Sequence, residues 1–176
     1  MQQRLSFYLK YAATLGLIIL ARLIPFRAPN VEPILAAQMP IAKRGGVLAS
    51  FVFGLLSIVL YDLITGTGGS WSWATALTYA FLGPIAVLYF RNRQSTGRNY
   101  VVFAFWSTII YDAVTGVVFG PLMFHQSLQA AFFGQIPFTL LHLAGNLILA
   151  AAVSPLLYRW LTAEEPALQT TKTVRA

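Results

Sequence analysis

The sequence predicts an all-α, polytopic membrane protein: six transmembrane helices with a short second helix, and a parallel internal repeat. Three observations lead there. Hydrophobic residues make up 57% of the 176-residue chain and charged residues only 10%, against roughly 25% charge in a soluble domain. Mean hydropathy is +0.67, and a disordered chain is poor in apolar residues. The apolar residues gather into runs of spanning length, with no ten-residue alternating segments of a membrane β-barrel. Twelve Lys and Arg and five Asp and Glu are too few to coat a water-exposed surface of this size. The absence of cysteine excludes disulfides, thiolate metal sites and a cysteine nucleophile.

Each element follows from its run. A spanning helix needs roughly 20 mostly apolar residues. Residues 7–24 form the first. No small-residue cleavage site follows it, so it is expected to be a retained helix and not a cleaved signal. Residues 30–42 are apolar but short and hold Pro33 and Pro40. Residues 47–64, 74–90, 100–118 and 135–157 are the remaining spans. The loops carry turn chemistry: Thr65-Gly66-Thr67-Gly68-Gly69-Ser70 and Gly120-Pro121. A single membrane domain is expected over 1–161 and a polar cytoplasmic tail over 162–176.

The charges give an orientation. With six spans and the N-terminus inside, ten bases lie inside: Arg4, Lys10, Lys43, Arg44, Arg91, Arg93, Arg98, Arg159, Lys172 and Arg175. Only Arg22 and Arg27 lie outside, a strong positive-inside signal. Five spans with the N-terminus outside give the same ratio, with Arg4 and Lys10 as the outside pair. The short second segment, about 20 Å long against a core of about 30 Å, weighs toward five. Charge counting leaves both open. The basic run over 91–98 is explained by topology and implies no nucleic acid.

Offset by 50 residues, the chain matches itself. Residues 53–66 and 103–116 share Phe53/Phe103, Ser57/Ser107, Tyr61/Tyr111, Asp62/Asp112, Thr65/Thr115 and Gly66/Gly116. One span separates the copies, so both cross in the same direction, a plan common in transporters. Each ends Tyr-Asp-x-x-Thr-Gly at the same face. A carboxylate there faces protein or water, not lipid. Two readings stay open for Asp62 and Asp112: a structural acceptor for the Thr or for freed backbone N–H groups, or a ligand contact at the mouth of a cavity.

Between the first and second segments, Pro25, Pro29 and Pro33 stiffen a non-helical connector that holds Arg22, Arg27, Asn30 and Glu32. A stiff loop lowers the ordering cost of binding. Arg22-x-x-Pro25 followed by Pro29-Asn-Val-Glu-Pro33 at the start of a short helix resembles the substrate-binding S components of energy-coupling factor (ECF) vitamin transporters. Ser57-x-x-x-Tyr61-Asp62, the Gly68-Gly69-Ser70-Trp71 loop, Gln135-Ile-Pro-Phe-Thr139-x-x-His142-x-x-Gly-Asn146 and Ser154-Pro155 fit the same pattern, which runs over residues 10–160. The N-terminal histidine motif of cobalt and nickel members is missing, as is the cysteine of some cobalamin members.

That resemblance implies a six-helix inner-membrane protein with both termini cytoplasmic. It implies capture of a vitamin or related micronutrient from outside, in a pocket built by the first loop and the last three helices. It implies association with a membrane T component and two ATPase subunits, no catalysis by this chain and no cofactor. The family layout favours six spans over five.

The remaining candidate residues follow from spacing. Gln135, Thr139, His142 and Asn146 share one helix face, and a polar stripe in a span faces the bundle or a cavity. It is read either as bonding to neighbouring helices or as pocket lining. His142 has no metal-ligand companion at helical spacing, so no metal site is expected. His125 lies in the outer loop, as a cap to the pocket or as a wet loop residue. Trp71 is read as an interfacial belt residue or as a stacking platform for a planar ring. On the first helix Ala12, Ala13 and Gly16 form a small-residue face. In S components such a face docks the T component; ordinary packing within the chain is the other reading. Two rival functions stand beside substrate capture: a proton- or ion-coupled carrier using Asp62 and Asp112, and a non-transport membrane scaffold. No Gly-x-Ser-x-Gly, His-Glu-x-x-His or Walker pattern of an enzyme occurs.

Overall fold

The computed structural model describes residues 2–25 and 30–163, except for the side chains of residues 2–4. Within them the chain forms α1 (Gln2–Leu23), α2 (Ile34–Thr65), α3 (Ser70–Phe90) and α4 (Gly97–Asp112). From α4 it continues through a π-helical stretch (Ala113–Phe119) into α5 (Gly120–Phe124), then α6 (Leu128–Ala152) and α7 (Ser154–Thr162). Five stretches are long and apolar enough to cross a membrane: Leu5–Leu23, Ile34–Thr65, Ser70–Phe90, Gly97–Phe124 and Leu128–Thr162. The predicted all-α class is what the chain adopts, with long apolar helices that are candidate membrane spans. The polar tail beyond residue 163 and Arg27 of the first loop lie outside the described residues.

The longest helix is not one rod. Gly46 sits at φ +81°, ψ −166°, a conformation open to glycine and closed to most side chains. Gln38 Nε2 donates to Ser50 O at 3.0 Å and to Tyr79 O at 2.7 Å. In an unbroken helix residues 38 and 50 would stand about 18 Å apart. The chain therefore doubles back at Lys43-Arg44-Gly45-Gly46, and the short apolar segment lies antiparallel to residues 47–65. Residues 34–42 are buried one after another. Protein surrounds this segment, so its length need not match a lipid core. Ser154 at the start of α7 donates to Ala36 O at 2.7 Å and ties the segment from its other side.

Small residues bring α2 and α3 into backbone contact. A Cβ at Gly54 would meet Tyr79 O at 2.6 Å, and one at Gly83 would meet Ser50 O at 2.7 Å. Such close approach is how helices associate where lipid removes the hydrophobic drive between them. The polarity of the bundle fits a lipid solvent. Buried positions include Thr14, Gln38, Ser57, Thr108, Asp112, His142 and Asn146, while Leu17, Leu48, Leu63, Leu88, Leu122 and Ile148 are exposed. Most of the buried polar side chains bond a carbonyl of their own or a neighbouring helix, as Thr14, Ser57 and Thr108 do.

The two ends of the bundle differ in charge. At one end Lys10 Nζ donates to Ala163 O at 2.7 Å, and Lys43 Nζ donates to Phe90 O at 3.3 Å and to Arg93 O. Arg44 lies over the Phe7 ring and Lys10 over the Trp160 ring. The start of α1, the bend at 43–46, the loop after α3 and the end of α7 thus share one basic end. Arg22, Glu32 and Asp62 gather at the other.

Candidate functional site

At the end away from the lysines, the helices enclose a cavity of about 430 Å³. Its walls come from four places. The end of α1 and the following loop contribute Arg22, Asn30 and Glu32; the end of α2 contributes Ile58 and Asp62, with Thr67 just beyond. The loop into α3 and its first turns contribute Gly69, Ser70, Trp71, Ser72, Thr75 and Tyr79. Tyr111 of α4 and Phe138 and His142 of α6 close the remaining side.

Local chemistry sets each wall. Gly66, at φ +68°, ends α2 in a left-handed cap, and its N–H bonds Asp62 O. Ser72 Oγ then accepts from Gly69 N–H at 3.0 Å, which fixes the entry to α3 and leaves Trp71 on the cavity wall. Trp71 also packs on Phe124, centroids 5.3 Å apart. Asn30 sits at φ +60°, a left-handed position that Asn tolerates. Gly145 of α6 leaves room for the loop, since a Cβ there would stand 3.1 Å from Val31 Cγ2.

Arg22 is the anchor of the first wall. It is 8% exposed, and its Nε lies 2.8 Å from Glu32 Oε2, itself 19% exposed. Its Nη1 donates to Ser57 O at 2.7 Å, and the guanidinium stands 3.9 Å from the Tyr61 ring centre. Ser57 Oγ bonds Phe53 O within its own helix, while the Ser57 carbonyl accepts from the arginine. A planar fork with carboxylate, carbonyl and ring partners suits arginine and not lysine.

The deepest wall is the Asp112/His142 pair. Asp112 Oδ1 lies 2.8 Å from His142 Nδ1, and the two residues are 1% and 2% exposed. The pair engages Nδ1 and leaves Nε2 as the ring's other hydrogen-bonding atom. His142 also meets Tyr111 and Phe138 edge to face, centroids 5.6 and 5.7 Å apart. Tyr79 and Tyr111 pack together with centroids 4.3 Å apart. His142 Nε2 and the Tyr79 hydroxyl are buried with no hydrogen-bond partner among the described residues. Buried polar atoms of this kind call for a partner.

The structure therefore brings together six of the sequence-derived candidates: Arg22, Asn30, Glu32, Asp62, Trp71 and His142. It sets others behind the wall or away from it. Asp112 stands behind His142. Asn146 Nδ2 donates to Thr108 Oγ1 at 2.8 Å and joins α6 to α4. Gln135 presses on Gly116, where any Cβ would overlap its carboxamide. Thr139 is partly exposed and off the wall, and His125 is exposed at φ +53° in the loop before α6. Ala12, Ala13 and Gly16 are exposed on α1, and a Cβ at Gly16 would meet nothing within 4 Å. Among the described residues nothing packs on Gly16.

Sequence reasoning missed Tyr79, Tyr111 and Phe138 as wall residues. Tyr79 left one signal, a hydroxyl in the middle of an otherwise Ala- and Leu-rich span. Among the described residues no group of three or more His, Asp or Glu forms a metal site. Compared with protein-family models, curated proteins and solved structures, the chain matches none.

Proposed function

We propose that this chain is a substrate-binding membrane subunit of the S-component kind, capturing a vitamin or related micronutrient for ATP-driven import. The observation that carries this reading is the cavity of about 430 Å³ walled by the Arg22/Glu32 pair, Trp71, Tyr79 and His142. Its volume is in the range of small-molecule sites, about 300–1,000 Å³. It opens where the basic residues are not, so on the positive-inside rule it faces out.

The topology of this reading is six passages. Residues 34–45 and 47–65 count as separate, antiparallel passages because the chain reverses at Gly46. The Lys10 contact with Ala163 brings residues 10 and 163 to the same basic end, which on this reading is the cytoplasmic side. The exposed Ala12, Ala13 and Gly16 face is the docking surface for a T component, which with two ATPase subunits supplies the energy. The Tyr-Asp-x-x-Thr-Gly copies are the mark of a parallel repeat. This chain contributes binding and orientation, not catalysis.

The experiment is thermal unfolding of the purified full chain with a panel of micronutrients, together with copurification from cells that express T-component and ATPase genes. A ligand at 100 times its Kd adds about 2.7 kcal/mol, a shift of several degrees. No stabilisation by any micronutrient and no copurification overturn the reading.

A further inference from the structure

Resting on the capture reading, we infer that the cavity takes a planar heteroaromatic cation: a ring bearing a protonated amine or amidine, with the ring among Trp71, Tyr79 and Tyr111 and the charge at Asp62.

The charges of the wall favour a cation over an anion. Arg22 is the wall's cation among the described residues; its Nε faces Glu32 and its Nη1 donates to the Ser57 carbonyl, with its plane on Tyr61. Asp62 is partly exposed on the wall, and its hydrogen bond is a long one, 3.4 Å from the Thr67 hydroxyl. Asp112 places a further carboxylate behind His142. Even with Arg27 counted, this end of the sequence holds two arginines against Glu32, Asp62 and Asp112, a balance of −1. The low-dielectric surround strengthens that preference.

The rings point the same way. Trp71, Tyr79, Tyr111 and Phe138 surround the space, and electron-rich ring faces attract an organic cation while stacking on a planar ring. The buried polar atoms supply the remaining requirement. With Nδ1 paired to Asp112, His142 keeps Nε2 as a further hydrogen-bonding atom, and the Tyr79 hydroxyl accepts or donates. Both residues are 2% exposed, and neither atom has a partner among the described residues. Ring or exocyclic N–H groups satisfy them, and a purely hydrocarbon ligand would leave them stranded at a cost.

The test titrates the full chain in detergent, by calorimetry, with three pyridines of one ring and different charge: 3-(aminomethyl)pyridine, nicotinamide and nicotinate. Thiamine, riboflavin and folate serve as larger cationic, neutral and anionic probes. The expected result is a Kd at least tenfold lower for a cation than for its neutral and anionic counterparts, weakening with added salt. Asp62→Asn, whose unfolding temperature is checked first, loses at least tenfold for the cation and stays within twofold for the neutral probes. Tyr79→Phe weakens the cation severalfold and keeps the charge preference. Tighter binding of nicotinate or folate, or an Asp62→Asn chain that binds cations unchanged, overturns the inference and leaves the capture reading standing. No binding by any probe or by the micronutrient panel overturns both.

Discussion

The two Tyr-Asp-x-x-Thr-Gly segments, residues 61–66 and 111–116, are alike in sequence and unlike in use. Locally they agree: Thr65 Oγ1 bonds Tyr61 O at 2.9 Å, and Thr115 Oγ1 bonds Tyr111 O at 2.8 Å. Beyond that they part. Gly66 turns left-handed and ends its helix, so Asp62 stays partly exposed at the cavity mouth. Gly116 continues into a π-helical stretch, pinned by Gln135, and Asp112 is buried on His142. Tyr61 carries the Arg22 guanidinium, whereas Tyr111 packs on Tyr79. The same six-residue pattern can thus serve as a solvated rim or a buried anchor. The partner that arrives from elsewhere in the chain decides which. The π-helical stretch belongs to the second case, since such irregularities often mark functional positions.

The sharpest way to break this contrast is to remove each carboxylate. Asp112→Ala strands the buried His142 Nδ1 and is expected to cost about 3 kcal/mol. Asp62→Ala is expected to change stability by no more than about 0.5 kcal/mol. Thermal unfolding of the two variants in one detergent gives the comparison, and equal losses end the distinction. The Arg22/Glu32 pair belongs with Asp112 on this scale. Glu32→Ala leaves the buried guanidinium without its carboxylate and is expected to cost about 2 kcal/mol, discounted for the partial exposure of Glu32.

The glycines give the next contrast. Gly116→Ala drives a methyl into the Gln135 carboxamide, an overpacking cost of about 1–3 kcal/mol. Gln135→Ala in the same chain is expected to restore most of it, which a double-mutant cycle reads directly. Gly66→Ala meets no atom and pays only for its left-handed backbone, about 1 kcal/mol. The smallest effect is expected on α1. Gly16→Leu leaves unfolding unchanged within about 0.5 kcal/mol while abolishing copurification with a T component. A large loss of stability there would place the Gly16 face inside the chain's own packing.

Much of the fold was legible because lipid imposes a coarse code. Five apolar stretches, the glycine-rich loop after residue 64 and the polar connector at 91–99 correspond to described helices and loops. The bend at 43–46 was written as two bases and two glycines between apolar runs. What sequence left undecided was whether the short segment before it crosses. Its length argued against crossing in lipid, but residues 34–42 are covered by protein on every side, so that argument does not apply.

The site was legible in part for a related reason. Charged or polar groups inside an apolar chain are expensive, so Arg22, Glu32, Asp62, Asp112 and His142 drew notice one by one. Their pairing was invisible. Asp112 and His142 stand 30 residues apart, and Asn146 and Thr108 stand 38 apart. No periodicity on one helix reports which face another helix presents. Tyr79 and Phe138 passed as ordinary span residues because an aromatic ring is equally at home against lipid and against a cavity.

The sequence by itself determined the all-α class, the long apolar helices that are candidate membrane spans and the basic end, because hydropathy and charge placement act segment by segment in a bilayer. It also determined which few residues carry polar chemistry. Only the tertiary structure decided that Arg22 is held by Glu32, that His142 is aimed by Asp112, and that Asn146 serves as interhelical glue. Those outcomes depend on helix crossings as close as Gly54 on Tyr79 and Gly83 on Ser50. Contacts set across that distance are long-range properties of the packed bundle, and no single segment encodes them.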